Sequence, residues 1–212
     1  MAFSPYSLAP CYNNLGMATI GVLALQGDFI EHQAALRRLS ADVHQVRTAE
    51  ELRGLDGLII PGGESTTFCR LMQDFSLYEP LQAVLKTGLP VWGTCAGMIV
   101  LAQRATDLDF PTLETLDITV RRNAYGRQVD SFEADIDISE LGGDPFHAVF
   151  IRAPVVEDVG SGVQVLATLP PDAPASGSVV ALRQGSILAT AFHPELTDDS
   201  ASIAISWRSS SP

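Results

Sequence analysis

The sequence predicts an α/β fold in three layers, with a mostly parallel central sheet flanked by helices. Two observations predict it. Apolar, β-branched runs of strand length alternate with amphipathic stretches of helical length through the first half of the chain, the pattern that covers a parallel sheet on both faces. The three most unusual loops, Gln26-Gly27, residues 61–66 and residues 93–97, each follow a predicted strand, where open α/β sheets gather their chemistry. A chain of 212 residues fits one domain.

The elements follow in order. Residues 19–25 (TIGVLAL) are apolar and β-branched, so they read as a strand buried on both faces. The turn Gln26-Gly27-Asp28 leads into an amphipathic helix over 29–39. Residues 43–46 suggest a second strand and 57–60 (GLII) a third, ended by Pro61-Gly62-Gly63. Helices are expected over 66–72 and 77–85, a fourth strand over 89–92, and its following helix over 96–104. From Leu116 the strands shorten, to 118–120, 132–138, 149–152 and 163–167. Residues 170–178 (PPDAPASGS) form a surface loop. The runs 179–183 and 187–192 are separated by Gln184-Gly185-Ser186, a hairpin signal. Residues 1–17 carry no basic residue and no apolar core of a secretory signal, and read as a disordered extension. That leaves a domain over 18–199 and a short, atypical, Ser-rich tail over 200–212.

Composition narrows the partners. The net charge is −12, which argues against nucleic acid, since a phosphate-binding protein needs a basic face. No apolar run approaches the roughly 20 residues of a membrane span. Three cysteines, Cys11, Cys69 and Cys95, show no regular spacing. An odd, scattered count argues against a disulfide framework or a Cys-rich zinc site, and for a reducing, cytoplasmic setting.

Gly93-Thr94-Cys95-Ala96-Gly97 lies between a predicted strand and a predicted helix, the layout of a nucleophile elbow. The glycines permit the sharp turn, and a helix N-terminus beneath the sulfur favours the thiolate. A lone cysteine is more often a small buried hydrophobe. That reading suits Cys69, inside a helical run, better than Cys95, because a core cysteine has no need of flanking glycines. A thiolate nucleophile needs a base and something to orient it. His193 ends an apolar strand and is followed by Pro194-Glu195. In an extended segment residues i and i+2 share a side, so His193 and Glu195 are expected to face one way. His32 reads as a surface histidine on the first helix, His44 lies in a short strand, and His147 in a loop region.

Pro61-Gly62-Gly63-Glu64-Ser65-Thr66 ends a strand with a glycine pair. Backbone N–H groups there can turn toward a ligand oxygen, and an N-cap at Ser65 or Thr66 fits equally well. Residues 121–128 hold three arginines, and Arg152 follows a strand. Arginines near a site suit bidentate capture of a carboxylate, although solvated surface arginines are the commoner case.

The set LQG (25–27), PGGEST (61–66), GTCAGM (93–98), RNAYGRQVDSFE (122–133), FIRAP (150–154) and FHPELTDD (192–199) resembles the glutaminase subunits of pyridoxal 5′-phosphate synthase. These are class I, triad-type glutamine amidotransferases of flavodoxin-like fold. The resemblance runs from about residue 18 to residue 199. The Cys and His-x-Glu motifs are general to class I amidotransferases, whereas RNAYGRQVDSFE and FIRAP point to this family. It implies a triad of Cys95, His193 and Glu195, and glutamine binding by Gly63, Glu64, Ser65, Arg122, Ile151 and Arg152. Gly63 and Ala96 would supply the oxyanion hole. It implies no cofactor and no metal, and as partner a (β/α)₈-barrel synthase subunit, typically in assemblies of twelve and twelve. Two departures stand out: the extension before Met17 and the short stretch ASIAISWRSSSP in place of a charged closing helix. The alternatives are another class I glutaminase, such as that of imidazole glycerol phosphate synthase, which should lack RNAYGRQVDSFE, and a non-enzymatic member that only binds a partner.

Overall fold

The structure is a computed structural model that describes residues 18–122, 131–138 and 144–197. The expected extension over 1–17, most of the 122–133 motif and the tail over 200–212 lie outside the described residues. The chain runs β1 (Thr19–Leu23), α1 (Phe29–Arg38), β2 (Asp42–Val46), β3 (Gly57–Ile60), α2 (Ser65–Asp74), α3 (Tyr78–Lys86), β4 (Val91–Thr94) and α4 (Ala96–Leu101). It continues through β5 (Ala102–Thr106), β6 (Leu116–Arg121), β7 (Ser131–Ile136), β8 (Phe146–Ile151), β9 (Val155–Val159), β10 (Gln164–Thr168), β11 (Val179–Gln184) and β12 (Ile187–Thr190).

Seven strands form the central sheet in the order β10-β11-β12-β4-β3-β1-β2. From β12 to β2 all neighbours are parallel, and β11 runs against both of its neighbours. The strands β3, β4 and β12 are buried at every residue, as continuous apolar runs require when helices cover both faces. The crossover β1-α1-β2 and the crossover β3-α2-α3-β4 step in opposite directions along the sheet. Right-handed connections therefore place α1 on one face and α2 with α3 on the other. The strand order reverses between β1 and β3, which opens a crevice at the carboxyl ends of these strands. Gly185 (φ 56) turns the hairpin between β11 and β12, with Gln184 paired to Ile187.

Two smaller sheets, β5-β6-β9 and β7-β8, flank the main one. They hold the departures from expectation. The helix expected to continue to residue 104 ends at Leu101. Ala102–Thr106 pairs in parallel with β6 instead, so strand pairing overrides a helix-compatible sequence. Val155–Val159, which was not expected as a strand, pairs antiparallel with β6. Its two adjacent acidic residues and the preceding Pro154 hide the strand pattern. His147, expected in a loop, sits in β8 between the carboxylates of Asp135 and Glu133.

Candidate active site

The chain leaves β4 at Cys95 with φ 48° and ψ −104° and enters α4 directly. Such a conformation is costly for a side-chain-bearing residue, about 1–3 kcal/mol, and persists only where its surroundings enforce it. The Cys95 N–H donates to the Thr190 carbonyl at 2.8 Å, tying the turn to β12. The flanking glycines are required by space. A Cβ on Gly93 would lie 2.6 Å from Leu101 Cδ1, and one on Gly97 only 2.0 Å from the Ile60 carbonyl oxygen. The thiol is buried and donates to the Ile151 carbonyl at 3.7 Å. Cys69, by contrast, packs inside α2 with 1% exposure, and burial pushes its thiol up to about 11, as suits an inert core cysteine.

His193 follows β12, with its N–H donating to the Val149 carbonyl. Its Nδ1 donates to Glu195 Oε1 at 2.7 Å, and Asp28 Oδ2 lies 3.3 Å from the same nitrogen. The extended His-x-Glu segment expected from the sequence is not what aligns them. Strand β12 stops at Thr190, and Pro194–Leu196 is a 3-10 turn. Proline fits the first position of such a turn because its fixed φ is already helical, and the turn folds Glu195 back onto the ring. Nε2 of His193 is buried and makes no hydrogen bond of good geometry, and His193 lines the same cleft as Cys95. Burial would lower the His193 pKa, but Asp28, Cys95 and Glu195 together raise it well above the usual range. Burial would raise the pKa of Glu195, and the His32 ring beside it with the hydrogen bond from His193 hold it down at about 2.

His32 corrects the surface reading. Its side chain is fully buried, with Nε2 3.1 Å from Glu195 Oε2 and 3.1 Å from Thr94 Oγ1. The signal was present, since Phe29, His32, Gln33 and Leu36 fall at the spacing of one helical stripe. His32 therefore lies on the core face of α1.

One cleft of about 240 Å³ gathers the predicted residues. Gly63, Glu64, Ser65, Cys95, Ala96, Arg122, Ile151, Arg152 and His193 all line it, together with Asp28 and Ile99. Glu195 stands behind His193. Gly63 is held at φ 144°, and the Gln26 amide brackets it by bonding both the N–H and the carbonyl of Glu64. The cap expected at Ser65 or Thr66 falls on Glu64 instead. Its carboxylate accepts from the N–H groups of Thr66 and Thr67 and from the Thr67 hydroxyl. Despite desolvation, those bonds bring the Glu64 pKa down to about 2. Arg122 reaches across to Glu64 Oε1 at 2.8 Å and to the Asp107 carbonyl at 2.9 Å, so its guanidinium is oriented on the cleft wall. Asp28, His193 and Glu195 bring potential ligand atoms within 4.8 Å of one another, a grouping their own hydrogen bonds account for. A larger depression of about 660 Å³ lies among Leu52, Arg53, Pro80 and Val84. Arg53 is its one charged lining residue, and it pairs no acid with a base.

Among the described residues, no helix is long and apolar enough to cross a membrane. The chain is 57% identical over 183 residues to the pyridoxal 5′-phosphate synthase subunit PdxT of Nocardia farcinica, covering 85% of this chain and 80% of that protein. It is 59% identical over 182 residues to the PdxT subunit of Acidothermus cellulolyticus, covering 85% and 87% of the two chains. A solved structure described as a glutamine amidotransferase superposes with a TM-score of 0.83 at 44% identity, over 90% of this chain and 98% of the other. The family model for the SNO glutamine amidotransferases matches residues 22–207. The chain belongs to the SNO glutamine amidotransferase family.

Proposed function

We propose that this chain hydrolyses glutamine to glutamate and ammonia through Cys95, His193 and Glu195, and passes the ammonia to the synthase subunit of pyridoxal 5′-phosphate synthase. The observation that carries the reading is the 2.7 Å bond from His193 Nδ1 to Glu195 Oε1, which leaves Nε2 to serve the thiol at the elbow. The Cys95 thiolate attacks the γ-amide carbon. The N–H groups of Gly63 and Ala96 stabilise the oxyanion. Protonated His193 gives its proton to the departing ammonia, and a γ-glutamyl thioester remains. Water activated by His193 then releases glutamate. Arg122 and Arg152 on the cleft wall suit the α-carboxylate, with Glu64, Ser65 and Ile151 shaping the pocket.

Ammonia released into neutral water would become ammonium, which is not a nucleophile, so direct delivery to a partner makes chemical sense. Ile30 in the first turn of α1 and Leu196 beside Glu195 are exposed apolar side chains on elements that touch, a surface fit for covering by a (β/α)₈-barrel synthase subunit. The family's assemblies of twelve and twelve subunits in the cytoplasm are the setting we infer. The test is ammonia release from glutamine with the synthase subunit present. Cys95→Ala should abolish it, and a Cys95→Ala protein that retained full release would refute the reading. A thiol-reactive glutamine analogue should label Cys95 and leave Cys69 unmodified.

A further inference from the structure

His32 takes no part in the steps above, yet it joins the two ends of the proposed triad. Thr94, one of its contacts, immediately precedes Cys95, and Glu195, the other, holds the base. Glu195 Oε2 is buried and has no hydrogen bond of good geometry from any described group. The His32 Nε2 lies 3.1 Å from it, with its N–H directed more nearly at Thr94 Oγ1. A bare lone pair on Nε2 would be repelled by an anionic oxygen 3.1 Å away, so Nε2 carries the hydrogen; Thr94 Oγ1 accepts it and the Glu195 carboxylate lies beside it. His32 Nδ1 is buried and unpartnered, which a bare lone pair tolerates better than an N–H would. The Trp92 ring, edge-on with centroids 6.4 Å apart, packs against the imidazole.

We propose that His32 is a positioning residue: its Nε2–H, held by Thr94 and set against the Glu195 carboxylate, fixes that carboxylate relative to the nucleophile elbow, and so aims His193 at Cys95. This rests on the glutaminase reading. The charged and titratable groups facing Glu195 are His193 after β12, His32 on α1, and Asp28 through the His193 ring. Those facing His32 are Glu195 and the uncharged Thr94.

The test uses the full chain with the synthase subunit, comparing His32→Leu, His32→Asn and His32→Gln. Glutamine is able to place an N–H near the position of Nε2, whereas asparagine is too short. His32→Leu and His32→Asn should lose roughly ten-fold or more in kcat, within the range that proton-transfer groups contribute, with KM for glutamine nearly unchanged. The acid limb of their pH–rate profiles should move to higher pH, because Glu195 loses a group that holds its carboxylate ionised. His32→Gln should restore most of the rate and the position of the limb. If His32→Leu does not fold, His32→Asn carries the comparison. A folded Leu or Asn variant with unchanged kcat and an unmoved acid limb overturns the proposal, as does a His32→Gln protein as impaired as His32→Asn. An inactive wild-type complex would refute the glutaminase reading itself, whereas an active wild type with indifferent His32 variants sinks only this inference.

Discussion

Glu195 must remain an anion with almost no water to support it. Its pKa falls to about 2 against the pull of burial, so its contribution to stability is complete above the ordinary carboxylate range and is lost as pH falls through about 2. His193 has the opposite sign. Its raised pKa contributes stability that is complete below about 6.5, and that contribution is lost only as pH climbs through the elevated folded value. Glu195→Gln keeps the shape and removes the charge. Its kcat should fall by about 10²–10⁴ on the pattern of such triads. The alkaline limb should move to lower pH, because His193 loses an anion that keeps it protonated. Asp28, 3.3 Å from the same nitrogen, retains part of that effect, so a limb that did not move at all would show that Asp28 is the operative partner. The residues of the proposed triad were legible because glycine spacing and His-x-Glu are local patterns. His32 and Asp28 were not, because their importance arises when α1 is laid against residues more than 160 positions further along the chain.

The elements explain why the site is held firmly. Helix α4 is buried at every residue and packs so closely on β3 that Gly97 has no space for a methyl group. Gly97→Ala would press Cβ onto the Ile60 carbonyl and should cost about 3 kcal/mol or prevent folding, at the upper end of overpacking effects. A denaturation midpoint within error of wild type would refute that. Helix α2 depends on Glu64 as its cap. Glu64→Ala removes the acceptor for two backbone N–H groups and should cost about 1 kcal/mol. Glu64→Gln should show a stability deficit that is full above pH 4.5 and shrinks as pH falls toward 2, since only the ionised wild-type side chain gains from the cap. Thermal melts across that pH series check it. The buried parallel strands were readable because runs such as GLII carry a period-independent apolar signal. The edges β5 and β9 were not, since each is made a strand by pairing with β6 rather than by its own pattern.

At the scale of the whole molecule, the sheet brings together four strand ends that are far apart in sequence. Asp28 follows β1, Gly63 follows β3, Cys95 follows β4 and His193 follows β12. The crevice at the reversal of strand order is the one place where these loops converge. On the proposed function, that geometry points to where a second protein would sit to intercept ammonia. Such a partner would cover the mouth of the cleft, which Asp28 lines at the foot of α1. Ile30, 61% exposed in the first turn of α1, follows the cleft-lining Asp28 by two residues and does not itself line the cleft. A buried apolar contact of this size contributes about 1.5–3 kcal/mol, and a carboxylate left in its place would be desolvated without a partner. Ile30→Asp should therefore weaken association with the synthase subunit by ten-fold or more, measured by calorimetric titration. Its thermal stability should be nearly unchanged, because the side chain it replaces faces solvent. Unaltered affinity would place the partner on another face and leave the ammonia without a direct route.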